Sequence, residues 1–193
     1  SYYSHPGEER ELVGNRGSGT IFFSNCNVEC VFCQNYQVSQ YGQGRSVDNR
    51  ELANMMLHLQ GLGCHNINLV SPSHVVAQIV EGIYIASQEG LTIPIVYNTN
   101  SYDLADTLLL LEGIVDIYMP DIKFAEDDVA YKYLGVEDYF SIAGDAIREM
   151  YRQVGNLKTD ETGIAYRGLL IRHLVMPNNL AKTDKIMDFI AKH

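Results

Sequence analysis

The sequence of 193 residues lacks the features that direct proteins to nucleic acids or membranes. It has no lysine- or arginine-rich block, and 14 basic residues against 24 acidic ones give a net charge of -10. An acidic balance of this size disfavours binding to nucleic acids and to anionic membranes. Its longest apolar runs, such as the one around 108–111, fall far short of the roughly 20 residues that a membrane-spanning helix needs. We therefore expect no nucleic-acid and no membrane partner.

The sequence also shows no export signal. Its first ten residues are polar and contain Pro6 and Gly7, whereas a leader has a basic start and an apolar centre. Without export, the four cysteines are expected to be reduced thiols or metal ligands rather than disulfides. The expected location is the cytoplasm.

No internal repeat or low-complexity tract interrupts the chain, which has enough hydrophobic residues (46%) for one core and one domain, 1–193. Strand and helix signals alternate instead, which predicts an α/β fold with a parallel sheet, either open or a partial barrel. In both architectures the ligand lies at the carboxyl ends of the strands. The predicted strands are 20–23, 66–70, 93–97, 114–119 and 168–175, and 158–166 is a polar excursion. One predicted helix follows a capping box at 48–51, and a second follows a cap at Ser73. The other predicted helices cover 104–111, 126–134, 138–154 and a stretch from 183.

Three cysteines, Cys26, Cys30 and Cys33, lie on one loop directly after the first predicted strand. Thiolates favour zinc or iron-sulfur centres over hard cations. An ordinary electron-transfer cluster takes four cysteines, so three would leave one iron open to a substrate's amino and carboxylate groups. The alternative is a structural zinc site completed by a histidine or by Cys64. Because Cys64 lies at the amino end of the second strand, we expect it to be a small buried residue.

The spacing C-x3-C-x2-C, with the aromatic Phe32 before the last cysteine, resembles the radical S-adenosylmethionine (radical SAM) enzymes. Further segments resemble relatives of pyruvate formate-lyase-activating enzyme, namely 17–23, 33–36, 66–70, 97–100, 118–123 and 171–177. The resemblance implies a single radical SAM domain that folds as a partial (β/α)6, TIM-like barrel of parallel strands. Five of its six strands would be visible here, with residues 1–17 as an N-terminal extension and the last strand beyond 193.

The same resemblance implies a set of cofactor-binding residues. The cysteine triplet would hold a [4Fe-4S] cluster, and S-adenosylmethionine would lie against Phe32, Asn35 and Ser71. Lys123 and Arg172 would be the catalytic cationic groups near the cofactor's carboxylate and the products of its sulfonium. A monovalent cation beside that carboxylate would be held by three side chains and the carbonyl of Met119; the side chains are Asn98, Thr99 and Asp121.

Strand geometry bears on the charged residues independently. Asp121 and Lys123 are two residues apart at a strand end and so share a face, although a weak surface ion pair is the alternative. Arg172 falls inside a predicted apolar strand and must find a partner or face a pocket. A buried structural ion pair is the alternative there. His74 and His173 are assigned no catalytic role, and His173 is expected to face away from Arg172.

The sequence departs from the activating enzymes after the second strand, where 70–74 replaces a glycine-glutamate motif that binds the methionyl amino group. The sequence therefore does not identify the residue that contacts the methionyl amino group. The implied function is reductive cleavage of S-adenosylmethionine to a 5'-deoxyadenosyl radical, with a flavodoxin- or ferredoxin-type electron donor. The implied target is a backbone glycine of a glycyl-radical enzyme. Alternatives are a small metabolite or peptide as target, or a zinc-stabilised binding module without catalysis.

Overall fold

One seven-stranded sheet organises the structure, a computed structural model that describes residues 1–193. The strands are β1 Tyr2–His5, β2 Ser18–Phe22, β3 Ile67–Val70, β4 Ile95–Thr99, β5 Ile117–Pro120, β6 Lys158–Thr159 and β7 Ala165–Leu169. Five of them run parallel in the order β2-β3-β4-β5-β7, and the short strands β1 and β6 pair antiparallel at the two edges. The five parallel strands agree with the α/β prediction. The sheet is not closed, as in a partial TIM-like barrel.

Eight helices connect and flank the strands, and two of them have distinct end signals. The helix after Asp48 begins with the Asp48 carboxylate accepting the Glu51 amide at 2.7 Å, as the capping box predicts. Gly135 ends another helix in the left-handed conformation, with φ 75°. None of the helices combines the length and the apolar character needed to cross a bilayer. They are α1 Arg10–Val13, α2 Tyr36–Ser39, α3 Asn49–Gly61, α4 Val76–Gln88, α5 Ala105–Leu109, α6 Asp127–Leu134, α7 Tyr139–Val154 and α8 Thr183–Lys192.

The larger core lies between the convex face of the sheet and the helices. Because side chains alternate along a strand, Leu69 of β3 and Tyr97 of β4 point outward and are fully buried against helical residues such as Met56 and Ile79. Removing such a side chain from water contributes about 1.5–3 kcal/mol. The residues between them point to the concave face, which leads up to the carboxyl ends of the strands.

The N-terminal residues lie across the open side of the sheet. Leu12 of α1 is fully buried in the concave interior together with Val96, Ile117, Met119 and Ala165. The carbonyl of Leu12 accepts the side-chain amide of Asn66 at 2.9 Å. The predicted extension 1–17 is therefore an integral part of the fold, with one strand, one helical turn and a side chain inside the barrel.

Three local predictions were wrong. The last parallel strand is Ala165–Leu169 rather than 168–175, and the predicted excursion 158–166 forms most of the β6–β7 hairpin. Ser73 does not cap α4; it begins a 3-10 turn that precedes the helix, and its hydroxyl contacts Thr99 at 3.2 Å. The apolar stretch after Leu169 had the composition of a strand, but only one isolated bridge, between Asp121 and Arg172, continues the pairing.

We predict that Leu12→Ala lowers the free energy of unfolding by about 2–5 kcal/mol, because it leaves a cavity inside the barrel. Chemical denaturation followed by circular dichroism measures the change. Leu110→Ala is the matched control, since Leu110 is 65% exposed and its truncation should change stability by less than about 0.5 kcal/mol. Equal stability of Leu12→Ala and the unmodified protein would show that the N-terminal segment does not fill the barrel.

Candidate functional site

A cavity of about 920 Å³ opens at the carboxyl ends of the parallel strands. This is where an open or barrel-like parallel sheet places its ligand, and the volume lies near the top of the range for small-molecule sites. All of the predicted site residues border it: Cys26, Cys30, Phe32, Cys33, Asn35, Ser71, Asn98, Thr99, Asp121, Lys123 and Arg172. The N-terminal residues Tyr3, His5, Glu8 and Glu9 contribute the part of the wall that the sequence did not predict.

The cysteine loop is held against α6. The amide of Glu29 donates to the carbonyl of Leu134 at 2.7 Å, and that of Val31 donates to Tyr133 at 3.0 Å. This attachment buries Cys30, and burial raises the pKa of its thiol to about 11. A thiol with that pKa is protonated at neutral pH until a metal displaces its proton.

The donor set fits an iron-sulfur cluster better than a zinc ion. Three soft sulfur ligands border one cavity, and Cys64 is 3% exposed inside the main core, remote from them in the fold. Cys64 therefore cannot complete a four-thiolate zinc site with the other three cysteines, whereas three thiolates on one cavity match a cluster that leaves one iron open.

Asp121 is at the centre of the charged part of the cavity. Its carboxylate accepts from Lys123 Nζ at 2.8 Å and from Arg172 Nε at 2.8 Å. Burial alone would raise the pKa of Asp121, but the charges and hydrogen bonds of Lys123 and Arg172 together hold it below its ordinary value. The predicted shared face of Asp121 and Lys123 is confirmed, and the pair lies in the cavity wall rather than on the outer surface, with side chains 25% and 14% exposed.

Arg172 lies beyond β7 and not inside a strand as predicted. Its main chain is nevertheless fixed, because its amide donates to Pro120 and its carbonyl accepts from Ile122, both at 2.9 Å. Its guanidinium donates to the Asn98 amide oxygen at 2.9 Å and approaches the Glu8 carboxylate at 3.4 Å. Burial raises the pKa of Glu8, an effect that Arg172 only partly offsets.

Three predicted cofactor contacts border the cavity from loops. Phe32 packs edge-on against Phe124, with ring centroids 6.0 Å apart. Asn35 precedes α2, and its carbonyl accepts the amides of Val38 and Ser39. Ser71 has a φ of 55° and donates its amide to the Asn98 carbonyl at 3.0 Å.

The side chain of Thr99 faces away from the concave side. Its hydroxyl donates to the buried carboxylate of Asp103, which also accepts from the Tyr97 hydroxyl at 3.0 Å. Burial raises the pKa of Asp103, and the hydrogen bonds from Thr99 and its neighbours offset this only in part. Asn98 and Thr99 were both predicted as side-chain ligands of a cation. Only Asn98 reaches the charged residues of the cavity with its side chain, through its hydrogen bond to Arg172.

Two residues that sequence reasoning missed connect the parts of the site. Asn100 donates to Asn27 in the cysteine loop at 2.7 Å, and its carbonyl accepts from the Tyr139 hydroxyl at 2.9 Å. That hydroxyl in turn accepts the Lys123 amide at 3.1 Å. The polar run at 98–100, at the carboxyl end of β4, was a usable signal for Asn100, whereas Tyr139, on an amphipathic helix, looked like any core residue.

The two histidines that were assigned no catalytic role both have hydrogen-bond partners. His173 has both ring nitrogens occupied, by the Ile122 carbonyl at 2.7 Å and the Thr183 hydroxyl at 2.9 Å. His74 bonds to the Ser24 carbonyl at 2.8 Å.

The chain is similar in sequence to a family profile and a curated protein, and in fold to a solved structure. A sequence profile described as the Radical SAM superfamily matches residues 20–189. An uncharacterized protein of Methanocaldococcus jannaschii is 35% identical over 207 aligned positions, which cover 100% of this chain and 55% of that protein. The chain thus spans about half the length of this curated relative. The crystal structure of methylornithine synthase (PylB) superposes with a TM-score of 0.58 at 18% identity, covering 90% of this chain and 50% of that one, which is a likeness of fold.

We predict that Asp121→Asn lowers the free energy of unfolding at pH 7 by about 1.5–3 kcal/mol, because Lys123 and Arg172 lose a charged partner. Since the folded-state pKa of Asp121 is depressed, its stabilisation is present above the unfolded pKa of about 3.9 and is lost as pH falls below it. The deficit of the variant should therefore shrink toward pH 3, as measured by denaturation at several pH values.

Asp145→Asn is the control for this prediction, because Asp145 forms an exposed ion pair with Arg148 one helical turn away. Exposed pairs of this kind contribute about 0–1 kcal/mol. A deficit of Asp121→Asn that stays constant from pH 7 to pH 3 would show that the carboxylate charge is not the source of its stabilising effect.

Proposed function

Because the chain belongs to the radical SAM superfamily, we propose that it is an enzyme that holds a [4Fe-4S] cluster on Cys26, Cys30 and Cys33 and cleaves S-adenosylmethionine reductively. Membership in this superfamily implies both cofactors. The observation that carries the proposal is the arrangement of three thiols on the same cavity as the charged residues at the strand ends. That cavity supplies ligands for a cluster and also charged groups that can bind an amino acid moiety.

When bound, the cluster supplies one electron that splits the sulfonium into methionine and a 5'-deoxyadenosyl radical, which abstracts a hydrogen atom from the target. The protein's part is to bind and orient. Lys123 uses one of its three donors on Asp121, so it retains donors for the cofactor's carboxylate. Arg172 is already shared among Asp121, Asn98 and Glu8, and its role is to fix the cavity wall beside that carboxylate.

A monovalent cation beside the carboxylate is a further part of the proposal. Its side-chain ligands would be Asp121 and Asn98, whose oxygens already accept from Lys123 and Arg172. Thr99 would contribute through its main chain, because its hydroxyl is bonded to Asp103. The cation would thus share these oxygens with two protein cations, so we expect it to bind weakly.

We propose a backbone glycine of a partner enzyme as the target of the radical, and a flavodoxin- or ferredoxin-type protein as the electron donor. Exposed apolar surface around the cavity is the observation behind the protein partners, since apolar patches mark sites where proteins bind. Val31 in the cysteine loop and Tyr41 after α2 are 70% and 71% exposed, and Leu174, which borders the cavity, is 51% exposed. A small metabolite is the second candidate, which the large volume of the cavity favours.

We predict that anaerobic reconstitution with iron and sulfide gives a brown protein that, with dithionite and S-adenosylmethionine, forms 5'-deoxyadenosine and methionine. Cys30→Ala should lose both the cluster absorbance and at least about 100-fold of the product, because it removes a metal ligand. Chromatography of the reaction mixture and the visible spectrum measure the two effects.

Cys64→Ala is the matched control, since Cys64 is a buried thiol of the core and no part of the cavity. It should cost stability but keep the cluster and the product. Reconstituted protein with a full cluster and no 5'-deoxyadenosine would contradict the proposed reaction, and a Cys30→Ala protein that still forms product would contradict the ligand assignment.

A further inference from the structure

The turn after β4 brings an asparagine side chain onto a cysteine of the triplet. Asn100 Nδ2 lies 3.4 Å from Cys26 Sγ and 2.7 Å from Asn27 Oδ1. A primary amide has two N–H groups, so one is directed to the oxygen and the other to the sulfur. Asn100 is 7% exposed, which largely shields this contact from water.

The orientation of this amide is fixed by its surroundings. Asn100 Oδ1 accepts the amide of Tyr102 at 2.8 Å, so a flipped side chain would set an NH₂ group against that N–H and an oxygen against Asn27 Oδ1. Asn27 is held in turn, because its own NH₂ group donates to the Tyr102 carbonyl at 2.6 Å. The nitrogen of Asn100 must therefore face Cys26.

We propose that Asn100 is a positioning residue that donates an N–H···S hydrogen bond to Cys26 and thereby raises the reduction potential of the cluster bound there. This inference rests on the proposed function. Gaining an electron makes the cluster more negative, and a hydrogen-bond donor at a ligand sulfur stabilises the more negative state. The low exposure of the contact strengthens the effect, because the low local dielectric screens it less than water would.

A second cysteine, Cys33, also has a polar contact, but in a less buried part of the fold. Ser39 Oγ lies 3.2 Å from Cys33 Sγ, on the short helix α2, which buries no residue fully. Water can replace a hydroxyl more readily at such a position than an amide inside the β4 turn. We therefore expect Asn100 to have the larger influence on the cluster.

The test is an EPR-monitored redox titration of the reconstituted protein, made without S-adenosylmethionine. Asn100→Ala with a full complement of iron and sulfide should show about a tenfold lower equilibrium constant for one-electron reduction, which is about 59 mV. Tyr102→Phe is the matched control: it removes a hydrogen bond from the same turn to the Glu137 carbonyl but touches no sulfur. Its potential should equal that of the unmodified protein.

A spectroscopic measurement separates a direct hydrogen bond from a merely structural role. Pulsed EPR of the reduced protein, with ¹⁵N only at the side-chain amides of asparagine, should show a weak nitrogen coupling that disappears in Asn100→Ala. Asn100→Leu has a similar volume but neither a donor nor a charge, and it should also lower the potential. It serves as the test variant should Asn100→Ala fail to take up a cluster.

Unchanged potential in a fully loaded variant, or a control that shifts as much as Asn100→Ala, would overturn the inference. Absence of the asparagine nitrogen coupling from the pulsed EPR spectrum of the unmodified protein would also overturn it. None of these outcomes would bear on the proposed cleavage of S-adenosylmethionine by the unmodified protein. Failure of the unmodified protein to bind a cluster, by contrast, would refute the proposed function itself.

Discussion

The guanidinium of Arg172 joins the parts of the chain that form the cavity. It donates to Asp121 after β5 and to Asn98 on β4, and it approaches Glu8 in the N-terminal segment. Backbone hydrogen bonds between neighbouring segments already join the regions of Asn98, Asp121 and Arg172. The contact to Glu8 is different, because it connects this part of the sheet to the N-terminal segment through side chains alone.

Such a charged cluster is costly to bury, and its composition shows how the cost is offset. Ions removed from water lose several kcal/mol of solvation each, which is recovered only when their hydrogen bonds are satisfied. Asp121 has both oxygens paired with cations, whereas Glu8 has a longer contact and a raised pKa. The centre of the cluster is thus fully satisfied, and its edge at the N-terminal wall is not.

The sequence allowed the fold class, the order of the main helices and the five parallel strands to be predicted, because each depends on local periodicity. The prediction failed at 168–175, where apolar composition suggested a strand but Arg172 continues the pairing through a single bridge. It also failed at Leu12, since nothing near residue 12 in sequence shows that this side chain fills a barrel formed by much later strands. The cysteine spacing revealed the centre of the candidate site, but Asn100 and Tyr139 act through contacts made only in three dimensions.

The contact between Glu8 and Arg172 joins residues 164 positions apart in sequence. Contacts of this range form late, because a long loop must be closed before they contribute any stability, and parallel pairing makes folding slower still. During synthesis, the cysteine loop and the first strands leave the ribosome well before the segment that completes the cavity. We therefore expect a nascent chain to pass through a stage in which the three thiols are synthesised but not yet enclosed, because α6 and the segment around Arg172 are still missing.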